Sequence, residues 1–199
     1  MNLSILPDQA LVEELLGSVP MPSHAAVFRE PTVLHARDGE CPDAANDARE
    51  LQLSHLLGVA KELLLRRLRR NLAAESFITS PSALRDWLRI YCADLQYEVF
   101  LVLYLDTHHR VLDVEPMFRG TVTQTAVYPR EVAKAALAHN ATAVAFAHNH
   151  PSGSAEPSRA DELLTASLKS ALALLDVRVI DHVVVAGDQL VSMAERGLL

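Results

Sequence analysis

The sequence is poor in cysteine and in basic charge, and each shortage excludes a class of protein. Its 199 residues include two cysteines, Cys41 and Cys92, which lack the CxxC spacing of a thiolate metal site. We therefore expect a reducing compartment and neither a disulfide framework nor a cysteine-ligated zinc. The 18 basic residues are outnumbered by 25 acidic ones, giving a net charge of -7. This charge argues against a protein that binds nucleic acid mainly through contacts with the phosphates.

Signals for export or membrane insertion are also missing. No Lys or Arg precedes Arg29, so the first residues do not resemble a secretory signal peptide. The longest unbroken apolar runs, 99–105 and 143–147, are far shorter than the roughly 20 residues that span a bilayer. We expect a cytoplasmic protein without a membrane partner, whose 50% hydrophobic content suffices for one main core.

Hydrophobic periodicity divides the chain into a mainly helical N-terminal region, residues 1–75, and an α/β domain, residues 76–199. The first region is predicted to contain a short helix that ends at Gly17, a proline-rich linker and a long amphipathic helix: residues 8–16, about 18–46 and 48–72.

The long helix carries the one basic cluster of the sequence, RRLRR at 66–70. A solvated helix face with favourable charge near the helix C-terminus explains it adequately. The alternative is a nucleic-acid contact through Arg66, Arg67, Arg69 and Arg70, although no aromatic neighbours are present for base stacking.

The second region alternates between strand and helix patterns, which predicts a mixed α/β domain. Ser80 and Pro81 have the residue types of an N-cap and a first helical position, with Leu84, Trp87 and Leu88 on the buried side. The later predicted elements are a hairpin of 98–105 with 111–118, a helix from 129 to about 140, a strand at 141–147, a helix at 158–175, and strands at 177–186 and 190–193.

Metal-ligand chemistry is concentrated between the strand at 141–147 and the next helix. His148 and His150 alternate at a strand end, so both imidazoles reach one ion only if the strand geometry persists through Asn149, and Asp161 adds a carboxylate. Three protein ligands leave a fourth position of tetrahedral zinc open for water, which is the catalytic arrangement. The stretch therefore predicts a zinc hydrolase. Deaminase and HExxH protease signatures are absent from the sequence.

A zinc hydrolase also needs a general base, and Glu98 is our choice because its strand is predicted to lie beside that of His148. Local sequence leaves other carboxylates of the domain open: Glu115, Glu131, Glu156 and Asp181. Ser158 and Asp161 also fit a capping box, which would place a helix N-terminus beside the metal.

Several longer motifs carry a family resemblance over 80–199. They are Glu98-Val99-Phe100, Leu105-Asp106, Phe118-Arg119-Gly120-Thr121, Tyr128-Pro129-Arg130-Glu131, His148-Asn149-His150-Pro151-Ser152-Gly153, Pro157-Ser158-Arg159-Ala160-Asp161, Asp181-His182 and Glu195-Arg196-Gly197-Leu198. With these motifs the chain resembles the JAB/MPN (JAMM) metalloproteases and, among them, the RadC family, formerly described as DNA repair proteins.

The resemblance implies a cytidine-deaminase-like mixed sheet flanked by helices. It implies Zn²⁺ bound by His148, His150 and Asp161, proton transfer by Glu98, and oxyanion stabilisation by Ser158. The expected activity is hydrolysis of amide, peptide or isopeptide bonds in a protein or peptide substrate. The alternative is a DNA-associated module with a structural or vestigial metal site.

Further residues are open to two interpretations. His182 is either a group behind the metal ligands or a satisfied core histidine. Arg119 and Arg130 are candidates for binding an acidic substrate group or for surface ion pairs. Asn149 stands where isopeptidases of the wider superfamily usually have Ser or Thr, and no paired helix-hairpin-helix is apparent around Gly58.

Overall fold

A computed structural model describes residues 3–18, 42–74, 81–120 and 126–199. The chain divides into two compact units, residues 1–66 and 67–199. The division falls inside a long helix, whereas the boundary predicted from the sequence follows that helix. Most of the predicted linker, and Ser80, lie outside the described residues.

The first unit is helical, as predicted. A short 3-10 helix (Leu3–Ile5) precedes α1 (Asp8–Ser18) and the first part of α2 (Pro42–Ala74). Gly17 lies within α1, so the prediction that it ends the helix was wrong by one residue. The helix α2 begins at Pro42, so residues 42–46 are helical and the linker prediction was wrong there. Proline is well suited to a first helical position because its fixed φ matches the helix.

The arginines of the basic cluster do not all point to solvent. In the first unit, the Arg66 guanidinium donates to Asp8 at 2.9 Å, to Glu62 at 2.8 Å and to main-chain carbonyls at the start of the chain. In the second unit, Arg69 pairs with Asp113. Arg66 and Arg69 therefore have intramolecular partners, and a nucleic-acid role for the cluster stays a prediction.

The second unit is built on a five-stranded mixed sheet in the order β2-β1-β3-β4-β5. The pair β3 and β4 is parallel and the other neighbours are antiparallel. The strands are β1 (Val99–Leu105), β2 (Val111–Arg119), β3 (Ala143–Asn149), β4 (Arg178–Ala186) and β5 (Gln189–Ser192). Every residue of the central strands β1 and β3 is buried, as expected for strands covered on both faces.

Helices flank this sheet: α3 (Pro81–Cys92), α4 (Pro129–Ala138) and α5 (Arg159–Ala173). A buried core cluster joins alternate residues of β1 and β3 to the apolar sides of α4 and α5, with Phe100, Phe146, Val132, Leu168 and Leu172 among its members. On α3 the predicted stripe is buried and includes Trp87, which stacks on Tyr91. The predicted fold class is therefore confirmed.

One strand boundary matters for the site. The strand β3 was predicted at 141–147 but runs to Asn149, because its parallel pairing with β4 continues to the register pair Asn149 and Val185. His148 therefore lies inside the sheet and not after it. Among the described residues, no helix is both long and apolar enough to cross a membrane.

Candidate metal centre

The three predicted ligands converge where β3 ends and α5 begins. The Nε2 atoms of His148 and His150 lie 2.9 Å apart. Asp161 Oδ1 lies 3.3 Å from the first of these nitrogens, and Asp161 Oδ2 lies 3.6 Å from the second. A tetrahedral zinc with bonds of about 2.0–2.1 Å would place its ligand atoms about 3.3 Å apart. The spacing of the three donors therefore fits a zinc ion.

The helix α5 holds Asp161 by its N-terminal cap. Asp161 is the third residue of the helix, and its N–H donates to Ser158 Oγ at 3.2 Å. In return Asp161 Oδ2 accepts the Ser158 N–H at 2.7 Å and the Ser158 hydroxyl at 2.6 Å. The predicted capping box is present, and it fixes the rotamer of a candidate ligand.

A tight turn orients His150. Its N–H donates to the Val185 carbonyl at 2.8 Å, which ties the residue to the end of β4. Its Nδ1 lies 2.8 Å from the Ser154 carbonyl oxygen. A carbonyl can only accept, so in the neutral imidazole the proton sits on Nδ1 and the lone pair of Nε2 faces Asp161. Gly153, at a φ of 87°, supplies the left-handed residue of this turn.

A buried chain of hydrogen bonds orients His148. Its Nδ1 lies 2.8 Å from His182 Nε2, and His182 Nδ1 lies 2.6 Å from the Thr165 hydroxyl. Thr165 Oγ1 donates to the Asp161 carbonyl at 2.6 Å, which can only accept. With the hydroxyl proton used in this way, each imidazole donates from Nδ1, and Nε2 of His148 is left unprotonated.

Three lone-pair donors thus face one another across about 3 Å, an arrangement that a shared cation stabilises. Without an ion, proton uptake compensates: the hydrogen bond with Asp161 raises the pKa of His150 against the opposing effect of burial. Burial also tends to raise the pKa of Asp161, but hydrogen bonds from His148 and His150 outweigh it and hold that pKa well below its ordinary value. Burial lowers the pKa of His182, which keeps that ring neutral.

Glu98 immediately precedes β1, the strand that pairs with β3. The ring of Phe100 lies 6.5 Å from that of His148 and 5.5 Å from that of His182, so this side of β1 faces the site. Side chains two apart on an extended backbone point the same way, which predicts that Glu98 is directed to the site as well. Its charge contributes to raising the pKa of His150.

The other carboxylates considered as general bases have partners of their own. Glu115 contacts His139 and Tyr104, Glu131 pairs with Lys134, Glu156 pairs with Arg196, and Asp181 accepts from Ser192 and two main-chain N–H groups. The role of Glu98 as the general base stays a prediction.

Two candidate substrate-binding arginines are placed differently. The Arg119 guanidinium lies 3.6 Å from the centroid of the Tyr97 ring, and Tyr97 is the residue that precedes Glu98 in the sequence. Arg130 is exposed in the first turn of α4. A role for either in binding substrate stays a prediction.

Sequence reasoning missed several contributors. Nothing in the local pattern distinguishes Thr165 or Ser154 from ordinary helix and turn residues, because their roles depend on contacts across the fold. A second group of metal-ligand type, Asp113, Glu115 and His139, also went unnoticed. Its carboxylates are spaced two apart on β2, which is a readable signal, but the histidine comes from the end of α4.

A mixed sheet that carries His-x-His at a strand end beside a capped helix with an aspartate is the arrangement expected of a JAB/MPN domain. The family model of the RadC-like JAB domain matches residues 78–198. A UPF0758 protein of Leptothrix cholodnii is 61% identical over 138 residues, which cover 69% of this chain and 62% of that relative. A UPF0758 protein of Dechloromonas aromatica is 52% identical over 177 residues, which cover 84% of this chain and 78% of that relative. The chain belongs to the RadC-like JAB domain family, as the sequence motifs predict.

Proposed function

We propose that the protein is a zinc-dependent hydrolase of amide, peptide or isopeptide bonds. The observation that carries the proposal is the convergence of two imidazole nitrogens and one carboxylate at zinc-like spacing, with the Nε2 lone pairs of both histidines directed inward. A zinc ion held there supplies Lewis acidity, which activates water and polarises a carbonyl group.

The chain's own residues would supply the proton transfers. Glu98 accepts a proton from the attacking water and delivers it to the leaving amine nitrogen, the usual task of a carboxylate when the histidines bind metal. Ser158 stands at the N-terminus of α5, where main-chain N–H groups and the helix dipole favour negative charge. Its hydroxyl, now donating to Asp161, is the proposed donor to the substrate oxyanion.

Metal content is the first test. The purified protein should hold one zinc by elemental analysis, and His148→Ala or Asp161→Ala should abolish it. His139→Ala is the matched control, because His139 belongs to the second histidine–carboxylate group. Zinc retained by the first two variants, or lost in the control, would contradict the assignment.

Hydrolysis is the second test. Zinc-loaded protein is incubated with a proteome-derived peptide library and with isopeptide-linked conjugates, and cleavage is read by mass spectrometry. Glu98→Gln should retain zinc and lose activity by about 100- to 10,000-fold, the usual contribution of a general acid–base group. Glu115→Gln on the neighbouring strand is the control. If the zinc-loaded wild type cleaves no substrate of either kind, the proposal is wrong.

A further inference from the structure

Asn149, between the two histidines of the proposed site, reaches across to the chain that carries Glu98. The residue is 4% exposed. Oδ1 accepts the N–H of Val99 at 2.8 Å, and Nδ2 donates to the carbonyl of Tyr97 at 3.0 Å. These two partners are the residues on either side of Glu98.

The amide group of Asn149 continues a ladder that the main chain leaves unfinished. The last register pair of β1 with β3 is Phe100 and His148. Beyond it, the side-chain amide offers one acceptor and one donor, as a peptide group would. On the other side, the Glu98 carbonyl accepts the Gly120 N–H at 2.8 Å. The main chain at Glu98 is therefore bonded directly to Gly120 on one side, and on the other side its two neighbours are bonded to Asn149.

This placement matters because Glu98 is not part of the regular strand. A residue just outside a strand would ordinarily be free to change φ and ψ, and any rotation of the main chain there displaces the carboxylate at the end of the glutamate side chain. General acid–base transfer requires hydrogen-bond distance, so such movement is costly to a reaction. The two bonds from Asn149 fix the main chain on both sides of Glu98.

We propose that Asn149 is a positioning residue that holds the Glu98 carboxylate at the metal centre through the backbone of Tyr97 and Val99. The inference rests on the proposed function in one respect, namely that Glu98 transfers the proton. It also explains why an amide stands between the two histidines: the position requires a donor and an acceptor on one short side chain.

Two variants and one control test the proposal. Asn149→Ala removes both hydrogen bonds, and Asn149→Asp keeps the acceptor while losing the donor. Thr142→Ala is the matched control, because the Thr142 hydroxyl contacts the Leu105 carbonyl at the opposite end of the same strand pair. For each protein we would measure zinc content, hydrogen exchange of the Val99 amide, and the NMR order parameter of the Glu98 side chain.

We expect Asn149→Ala to keep its zinc while Val99 exchange becomes at least about 10-fold faster and the Glu98 side chain loses order. On the best-cleaved library peptide, kcat should fall by about 10- to 100-fold with KM unchanged. The kcat, the Val99 exchange rate and the Glu98 order parameter of Asn149→Asp should lie between those of Asn149→Ala and the wild type. In a protein that already carries Glu98→Gln, adding Asn149→Ala should lower kcat by less than about twofold further, because the two residues act as one unit.

An unchanged Glu98 order parameter in Asn149→Ala would overturn the inference, as would a full additional loss of kcat in the Glu98→Gln background. If wild-type protein cleaves nothing, the proposed function fails. The order parameter of Glu98 then still decides whether Asn149 positions it.

Discussion

Thr165 should control zinc affinity although it lies behind the ligands. Thr165→Val replaces the hydroxyl by a methyl group of similar size and leaves His182 Nδ1 without its acceptor in a fully buried setting. A buried polar group without a partner costs about 1–3 kcal/mol. The metal-free variant should therefore lose about 2 kcal/mol of unfolding free energy, equivalent to roughly 4–8 °C in Tm for a chain of this size.

The effect on metal binding follows from the tautomers. Without the hydroxyl, His182 can place its proton on Nε2 and donate to His148, which moves the His148 proton onto the nitrogen that must bind the ion. Zinc binding has to reverse this shift, so we expect affinity to fall by about 10- to 100-fold. That change corresponds to about 1.4–2.8 kcal/mol.

The assay is competition with a chelating dye, alongside urea unfolding of the metal-free protein. Thr165→Ser keeps the hydroxyl and should stay within about threefold of wild-type affinity, because the donor and acceptor remain in place. A Thr165→Val protein with wild-type zinc affinity would refute the hydrogen-bond chain as the orienting device of His148.

Two further predictions concern stability away from the centre. Burial tends to raise the pKa of the Asp106 carboxyl, but hydrogen bonds from the main chain and side chain of Arg110 outweigh it and lower that pKa. Asp106→Ala should therefore lower the free energy of unfolding by about 1–2 kcal/mol at pH 7, measured by urea unfolding. Because the pKa of Asp106 is lower in the folded than in the unfolded protein, its ionised carboxylate stabilises the fold at pH values above the ordinary pKa, and this stabilisation is lost as the pH falls through the folded-state pKa. The difference in unfolding free energy between wild type and Asp106→Ala should therefore shrink below about pH 4. An equal difference at pH 7 and below pH 4 would contradict this account. Arg66→Ala should accelerate amide exchange at residues 3–8 by about 10-fold or more, because its guanidinium binds carbonyls there, whereas the exposed Arg67→Ala should not; equal effects would contradict this account.

Most of the fold was predictable because apolar periodicity differs so clearly between the elements. The apolar run from Val99 to Leu105 predicts a strand buried on both faces, and in the structure these residues form β1, in which every residue is buried. Boundaries were less predictable where pairing partners decide them. Nothing local to 148–149 shows that β3 continues, since the continuation depends on hydrogen bonds with a strand more than thirty residues later.

The candidate ligands were predictable because they share one short stretch with strand alternation and a helix cap. Glu98 was not predictable from spacing alone, since four other carboxylates remained open and only the family resemblance singled it out. In the structure those four carboxylates have partners of their own, and the role of Glu98 stays a prediction. Thr165 and Asn149 show the same limit, because a hydrogen bond between distant segments leaves no local pattern.

The two halves of the proposed site differ in how they are encoded. The ion-binding residues close a short loop between β3 and α5, so their loop-closure entropy is small and the group can assemble with local structure. Glu98 joins only when β1 pairs with β3, a contact between residues 50 apart. In the proposed site, mutation at Glu98 would therefore remove proton transfer while sparing the ion, so metal content and turnover would be lost independently.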